Sequence, residues 1–228
     1  MVATKYLIVN ADDFGASPGI NRGIVDAHRR GIVTSTSLMV DAPAAREAAR
    51  LARVVPGLGL GLHVDLGASA RDGGAEGLHA ELTRQMGRFV ELIGRAPSHI
   101  DSHRDVHRDP RRLPVFLELA RRWRVPLRGH SAARLLSSFY GQWAGESHPE
   151  QLAVESLERM LASGAGIGVT ELICHPGYRD RRLVSSYLAE REVEITTLCD
   201  PRMPAILEGL GLALTRHGVF ARNEASLS

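Results

Sequence analysis

The sequence predicts an α/β protein with one domain, residues 1–228, whose seven to eight mainly parallel strands form a barrel-like sheet. Apolar runs typical of buried strands alternate with helical segments of roughly a dozen residues, which is the pattern of right-handed βαβ units. The length of 228 residues suits one α/β barrel of about 250 residues better than it suits two domains. No Gly-x-Gly-x-x-Gly motif follows the first strand, which disfavours an open dinucleotide-binding sheet.

The N-terminal elements begin with an apolar run at 6–15 that ends in a pair of aspartates. A continuous apolar run bounded by glycine is typical of a strand buried on both faces. Ser17 and Pro18 then supply an N-cap and a proline at the first helical position, and Gly31 is expected to end that helix. The next elements are a strand at 32–40, a helix between Pro43 and Pro56, a strand at 58–64, a glycine-rich loop at 67–77 leading to a helix that ends near 94, and a strand at 98–103.

The C-terminal elements continue the alternation less regularly. They are a helix at 113–123, a short strand at 125–128, a loop or insertion at 131–147, a helix at 149–162, a strand at 170–175, a helix near 181–190, and weaker strands near 193–198 and 212–215. The carboxyl ends of parallel strands in a barrel meet on one rim, where active sites are built. The residues at these ends are therefore the first candidates for function.

Composition excludes several classes of function. Hydrophobic residues make up 44% of the chain and charged residues 24%, as in ordinary globular proteins. A net charge of +2 with scattered arginines does not indicate nucleic-acid binding. No apolar stretch approaches 18 residues, so no membrane association is expected. Cys174 and Cys199 fit no CxxC pattern, and a reduced, cytoplasmic location is expected.

Polar residues terminate five of the predicted strands. The first strand ends in Asp12 and Asp13. The polar residues at the ends of the later strands are His63, His103, Arg128 and His175. A single histidine at a strand end is more often a satisfied polar residue than a ligand. Three histidines and an aspartate pair on one rim instead indicate a functional site.

The residue types of this rim suit metal-assisted hydrolysis. One carboxylate and two imidazoles are typical ligands of a borderline divalent ion such as Zn²⁺ and leave room for water. The ion would lower the pKa of its bound water and polarise a carbonyl oxygen. A second aspartate can take the proton of the attacking water, and a further histidine can protonate a departing amine. Asp101 and Ser102 lie just before His103 and are expected to support that histidine.

Five motifs in this order resemble the YdjC-like carbohydrate deacetylases, which include chitooligosaccharide deacetylases. The resemblance extends over nearly the whole chain, and it implies a barrel-like α/β fold and metal-dependent removal of N-acetyl groups from amino sugars or short oligosaccharides. The motifs are Leu7–Gly15, Gly31–Thr36, Gly61–His63, His99–His103 and Glu171–Gly177.

The resemblance also implies a role for each matching residue. Asp13, His63 and His103 match the metal ligands, which would hold one divalent ion per chain, with Zn²⁺ favoured and Mg²⁺ as the alternative. Asp12 matches the catalytic base, and His175 would be the general acid. The implied partner is a small N-acetyl sugar, and a homodimer is a reasonable expectation for an enzyme of this size.

Residues around these positions are candidates for binding the substrate. Phe14 adjoins the aspartate pair, Arg128 is expected to orient Asp12 or the substrate, and Trp143 could stack on a sugar ring. The chain departs from the family pattern after His103, where Arg104 and Asp105 replace histidines near the substrate. That change leaves the identity of the sugar open. His107 is expected on a loop face in contact with solvent or substrate.

Other functions remain open at this stage. A carbohydrate-binding or regulatory protein could retain the fold without turnover, and a metal-dependent phosphoesterase could use the same kind of barrel. The phosphoesterase would require a His-x-His pair or more carboxylates than the strand ends provide. A glycosidase is less favoured, because adjacent Asp12 and Asp13 cannot lie on opposite sides of a sugar.

Overall fold

The computed structural model describes residues 4–67, 74–181, 183 and 185–219. At its centre lies a parallel sheet that contains seven of the strands found in these residues. In chain order the strands are β1 (Lys5–Phe14), β2 (Ser35–Leu38), β3 (Gly59–Val64), β4 (Ile100–Ser102), β5 (Arg134–Leu136), β6 (Gln142–Trp143), β7 (Glu146–Ser147), β8 (Gly168–Cys174) and β9 (Leu212–Thr215).

The strand order is β4-β3-β2-β1-β8-β5, and β9 pairs with the first part of β1. Leu127 adds a single parallel bridge to Ile100 beyond β4, so the sheet curls toward closure at that edge. The strands β6 and β7 form a separate antiparallel hairpin. The prediction of a barrel-like, mainly parallel sheet is confirmed.

Helices cover the outside of the curled sheet. They are α1 (Pro18–Arg30), α2 (Ala45–Arg53), α3 (Gly74–Ile93), α4 (Leu113–Trp123), α5 (Val154–Gly164), α6 (Ala189–Leu198) and α7 (Met203–Gly209), with 3₁₀ turns at His103–Arg108 and Pro149–Leu152. None of the helices in the described residues is both long and apolar enough to cross a membrane.

The central strand β1 is buried on both faces, as its apolar run predicts. Leu7 and Val9 belong to the hydrophobic core. Asn10 and Asp12 lie on the other face, where Asn10 Nδ2 donates to Asp12 Oδ1 at 2.8 Å. One face therefore packs in the apolar core, while the other brings polar groups to the inside of the sheet.

The first helix begins and ends where the sequence predicts. Ser17 Oγ accepts a hydrogen bond from the amide of Ile20 at 3.2 Å, and Pro18 occupies the first turn. The helix ends at Gly31, whose φ of −131° is ordinary extended backbone. Glycine is required there because a Cβ would lie 2.3 Å from the carbonyl oxygen of Leu198.

Several predicted elements differ from the structure. The predicted helix near 181–190 is wrong for its described part, because α6 begins only at Ala189, and the predicted strand at 193–198 lies inside that helix. Residues 182 and 184, and 68–73 of the glycine-rich loop, lie outside the described residues. The β-branched residues of 193–198 suggested a strand, but the burial of Ile195 and Leu198 favours the helix.

Other differences lie around the edge strands. The predicted strand at 125–128 is reduced to the bridge at Leu127, and the segment 131–147 contains β5 and the β6–β7 hairpin. The predicted strand at 32–40 is limited to Ser35–Leu38, and α7 was not predicted. Short segments of this kind carry weak periodic signals, so their pairing decides their structure.

Candidate metal and catalytic site

The two adjacent aspartates reach one cleft because the end of β1 is irregular. Neighbouring residues of a regular strand point to opposite faces. Here the pairing of β1 with β2 shifts register between Ala11 and Phe14, and Asp13 adopts a left-handed φ of 70°. Asp12 and Asp13 consequently line the same cleft, although each is only 4% exposed.

Asp13, His63 and His103 form a cluster at the base of this cleft. Asp13 Oδ1 lies 3.4 Å from His63 Nε2 and 3.4 Å from His103 Nδ1. The ligand atoms of the three residues all lie within 4.8 Å of one another. His63 Nε2 is buried and has no hydrogen-bond partner among the residues that the structure describes, although a buried polar atom normally has one. This orphaned nitrogen and the mixed carboxylate–imidazole donors fit a divalent ion such as Zn²⁺.

A second group with similar spacing, Asp12, His63 and Asp101, already has a cation. Arg128 Nη1 and Nη2 each lie 2.7 Å from an oxygen of Asp12, and Nη2 also lies 2.7 Å from Asp101 Oδ2. The guanidinium neutralises these carboxylates. The cluster around Asp13 is therefore the better candidate for a metal.

Asp101 supports His63 rather than His103, contrary to the expectation from the sequence. Its Oδ1 lies 2.8 Å from His63 Nδ1, because His63 and Asp101 are register partners across β3 and β4. A proton held on Nδ1 leaves the Nε2 lone pair free for a metal. Burial alone lowers the pKa of His63, but Asp101, with smaller contributions from Asp13 and Asp12, raises it well above its usual value.

Arg128 is anchored on its other side by Glu171. Arg128 Nε donates to Glu171 Oε1 at 2.8 Å, and the arginine is only 2% exposed. Burial alone would raise the pKa of Glu171, but the charge of Arg128 leads the effects that lower it to about 2. Arg128 thus holds Asp12 through both carboxylate oxygens in a fixed orientation.

Arg191 contacts the candidate metal ligand Asp13, although the sequence analysis did not identify it. It comes from α6, and its Nη2 donates to Asp13 Oδ2 at 2.6 Å. Burial alone raises the pKa of Asp13, but Arg191, His103 and His63 together lower it well below its usual value. No strand end or short motif marks Arg191, so the sequence pattern contains no signal for it.

His175 follows β8 and lies on the wall of the cleft. Its backbone amide donates to Glu194 Oε2, and its carbonyl oxygen accepts from Arg191 Nη1 at 3.1 Å. Burial lowers the pKa of the His175 imidazole, against the opposing charges of Asp12 and Asp13. Glu194 is itself buried, and burial raises its pKa to about 8.

The cleft has a volume of about 810 Å³ and is bordered by both the aspartate pair and His175. Arg128 contributes to its wall, as do Arg104 and Asp105. Arg104 and Asp105 adopt consecutive left-handed conformations, with φ of 55° and 52°. These two residues therefore turn the chain sharply just after His103 and lie at the cleft, where the sequence places them.

Three predicted substrate contacts do not line this cleft. Phe14 is fully buried in the hydrophobic core, because the register shift turns it away from the aspartates. His107 is also fully buried, with Nδ1 2.6 Å from Ser102 Oγ. Trp143 lies on the β6–β7 hairpin, 46% exposed, with its ring stacked on His148 at 3.7 Å.

Comparison with known proteins identifies a matching family, curated relatives and a similar solved structure. A family model described as YdjC-like protein matches residues 6–77 and 69–209. A carbohydrate deacetylase of Geobacillus stearothermophilus is 36% identical over 246 residues, covering 95% of this chain and 98% of the relative. A chitooligosaccharide deacetylase of Serratia marcescens is 35% identical, covering 92% and 97%. A crystal structure from Enterococcus faecalis V583, named as a candidate cellobiose-phosphate cleavage protein, superposes with a TM-score of 0.80 at 28% identity, covering 95% and 98%.

Proposed function

The chain belongs to the YdjC-like family, and on that premise we propose that it is a metal-dependent hydrolase that removes the N-acetyl group from an amino sugar or short oligosaccharide. Relatives that match almost their whole length are named carbohydrate and chitooligosaccharide deacetylases. The observation that carries the proposal is the clustering of Asp13, His63 and His103 in a cleft that also contains Asp12 and His175.

Asp13, His63 and His103 would hold one divalent ion, with Zn²⁺ favoured by the two imidazoles. Such an ion lowers the pKa of a water and polarises the amide carbonyl. Asp13 would use Oδ1, because Arg191 occupies Oδ2. His63 would use Nε2, which has no hydrogen-bond partner in the described part of the chain.

Asp12 would take a proton from the attacking water. Arg128 donates to both of its oxygens and Asn10 Nδ2 also donates to Oδ1, so Oδ2 keeps the further lone pair that can accept a proton. The clamp prevents rotation of the carboxylate and keeps it on the cleft wall next to Asp13. Positioning of this kind is a general requirement for a catalytic base.

His175 would protonate the nitrogen of the departing amino sugar when the C–N bond breaks. Acetic acid then leaves with the oxygen of water and ionises to acetate, and the proton taken by Asp12 balances the one given by His175. Because burial lowers its pKa, the protonated His175 imidazole is a stronger acid than an ordinary imidazolium. It can therefore donate readily to an amine.

The direct test is release of acetate from N-acetylated sugars, from N-acetylglucosamine to its trimer, by protein reloaded with Zn²⁺ or Mg²⁺. Acetate is expected from at least one sugar, and Asp13→Ala should abolish both release and metal binding. Asp200→Ala is the control, because Asp200 pairs with Arg202 and does not line the cleft. Metal retained at the site by Asp13→Ala would contradict the proposal. Sugar binding without acetate would instead indicate a carbohydrate-binding protein.

A further inference from the structure

Two stacked tyrosines form part of the cleft wall. The rings of Tyr140 and Tyr187 are parallel within 3°, with centroids 4.4 Å apart. Tyr187 is 4% exposed, whereas Tyr140 is 37% exposed and borders the cleft. Because one face of Tyr140 is covered by Tyr187, the opposite face and the ring edge are the parts of the ring that a ligand could contact.

Hydrogen bonds fix this pair in place. The hydroxyl of Tyr187 donates to Glu194 Oε1 at 2.5 Å and accepts from the amide of Gly141 at 3.0 Å. Gln142 and Ser186 are joined by a further side-chain bond of 3.0 Å. The segment that carries Tyr140 is therefore tied to the segment before α6, and the ring is held rigidly at the cleft.

The exposed tyrosine lies beside the catalytic candidate His175. The ring centroids of Tyr140 and His175 are 5.7 Å apart, in an edge-to-face arrangement of 73°. A group resting on Tyr140 would therefore be adjacent to the imidazole. In the proposed reaction that group is the sugar ring, whose nitrogen receives the proton from His175.

We propose that Tyr140 is the stacking platform for the pyranose ring of the substrate and determines how tightly that ring is bound. This inference rests on the proposed function and deepens it by assigning the residue that binds the sugar ring. The C–H face of a pyranose is apolar, and a rigid aromatic ring binds such a face with little loss of conformational entropy. The acetamido group would point to the metal cluster while the ring covers Tyr140.

The test compares Tyr140→Ala and Tyr140→Phe in the metal-loaded protein. Tyr140→Ala is expected to raise the KM for acetate release about tenfold, with kcat changed less than about twofold. Tyr140→Phe should behave like the wild type, because it keeps the aromatic face. Tyr6→Ala is the matched control, since Tyr6 is 38% exposed but lies at the opposite end of β1 from the aspartates. Metal content and Tm of each variant check that the fold is intact.

Binding is measured separately from turnover, by titration of N-acetylglucosamine and its dimer into the metal-loaded Asp12→Asn protein with and without Tyr140→Ala. Weaker sugar binding in the double variant supports the platform even if the wild type releases no acetate, which would overturn only the proposed function. Unchanged KM and unchanged binding in Tyr140→Ala would overturn the platform. Equal losses in Tyr140→Phe and Tyr140→Ala would also overturn it, because they would assign the effect to the hydroxyl. Failure of the wild type to bind any of these sugars would overturn both.

Discussion

Arg191 donates from Nη2 to Asp13 Oδ2 at 2.6 Å, which leaves the second oxygen of the same carboxylate facing His63 and His103. The arginine comes from α6 and the aspartate from β1, so this contact connects a helix to the end of the central strand. Burial raises the pKa of Asp13 and the charge of Arg191 is the largest effect that lowers it, so loss of the arginine would shift this pKa upward. A proton would then compete with the metal for the carboxylate.

Arg191→Met is therefore expected to weaken Zn²⁺ binding by about 10- to 100-fold, as loss of a residue that orients a ligand usually does. The loss should be larger at pH 6 than at pH 8, because protonated Asp13 cannot bind metal. Competition with a chromophoric chelator measures both effects. Arg179→Met is the control, since Arg179 is exposed and pairs with Glu192. Equal affinities in the two variants would mean that Arg191 does not position Asp13.

The orphaned nitrogen of His63 leads to a prediction about metal removal. Zn²⁺ at one hundred times its Kd adds about 2.7 kcal/mol to the free energy of unfolding, because it binds the folded state. For a chain of this size that corresponds to an increase of about 5–10 °C in Tm relative to the chelator-treated protein. His63→Ala should abolish this increase. His79→Ala should retain it, because His79 is exposed on α3. A full increase in His63→Ala would assign the metal to other residues.

The candidate metal ligands could be found from the sequence because each follows an apolar strand. Once the strands are parallel, their carboxyl ends must meet, and this brings Asp13, His63 and His103 together without further information. The same reasoning fails for Phe14. Phe14 adjoins the aspartates in sequence, but a register shift in β1 places its side chain in the core, and no local sequence pattern predicts that shift.

The strand-end argument could not identify residues that lie in helices or irregular segments. Arg191 and Glu194 lie in α6, where β-branched neighbours favoured a strand, and Tyr140 lies in a segment without periodicity. The position of α6 depends on its packing against α1 and the 3₁₀ turn at Pro149–Leu152. Such contacts join residues far apart in the chain, and short-range patterns do not encode them.

The buried charge cluster predicts that replacing Arg128 destabilises the protein much more than replacing the exposed Arg84. Arg128 is surrounded by Asp12, Asp101 and Glu171, so Arg128→Met would leave three buried carboxylates without their cation. Breaking a buried pair in this way typically lowers the free energy of unfolding by about 3–5 kcal/mol. Arg84→Met removes exposed ion pairs and should cost at most about 1 kcal/mol. Urea denaturation of both variants at pH 7 measures the difference. Comparable losses would show that the cluster does not depend on Arg128.

Glu194 predicts a pH dependence of stability. Burial raises its folded-state pKa to about 8, whereas an unfolded glutamate titrates near 4.5. Between pH 4.5 and pH 8 the folded state therefore binds more protons than the unfolded state. The stabilisation that protonated Glu194 contributes is fully present below pH 4.5 and is lost as pH rises through 8.

Glu194→Gln cannot titrate, and its stability relative to the wild type should increase by about 4 kcal/mol between pH 5 and pH 8.5. Urea denaturation across this pH range measures the difference in unfolding free energy between the variant and the wild type. The contributions of the other titrating groups cancel in that difference. Glu155→Gln, on an exposed turn of α5, should differ from the wild type by a constant amount above pH 5.5. A constant difference for Glu194→Gln as well would show that Glu194 is ionised in the folded protein at pH 5.

The separate roles of Asp12 and His175 predict that only the His175 variant depends on the leaving group. An amine requires a proton as the C–N bond breaks, whereas 4-nitrophenolate leaves as a stable anion. His175→Gln should therefore lose about 10²- to 10⁴-fold in kcat on an N-acetyl sugar, and much less on 4-nitrophenyl acetate. Asp12→Asn should lose activity on both substrates, because both require attack by water. Both variants should retain metal, since neither residue belongs to the cluster around Asp13. Equal losses of His175→Gln on the two substrates would exclude proton donation to the amine as its role and assign it instead to a step that the two reactions share.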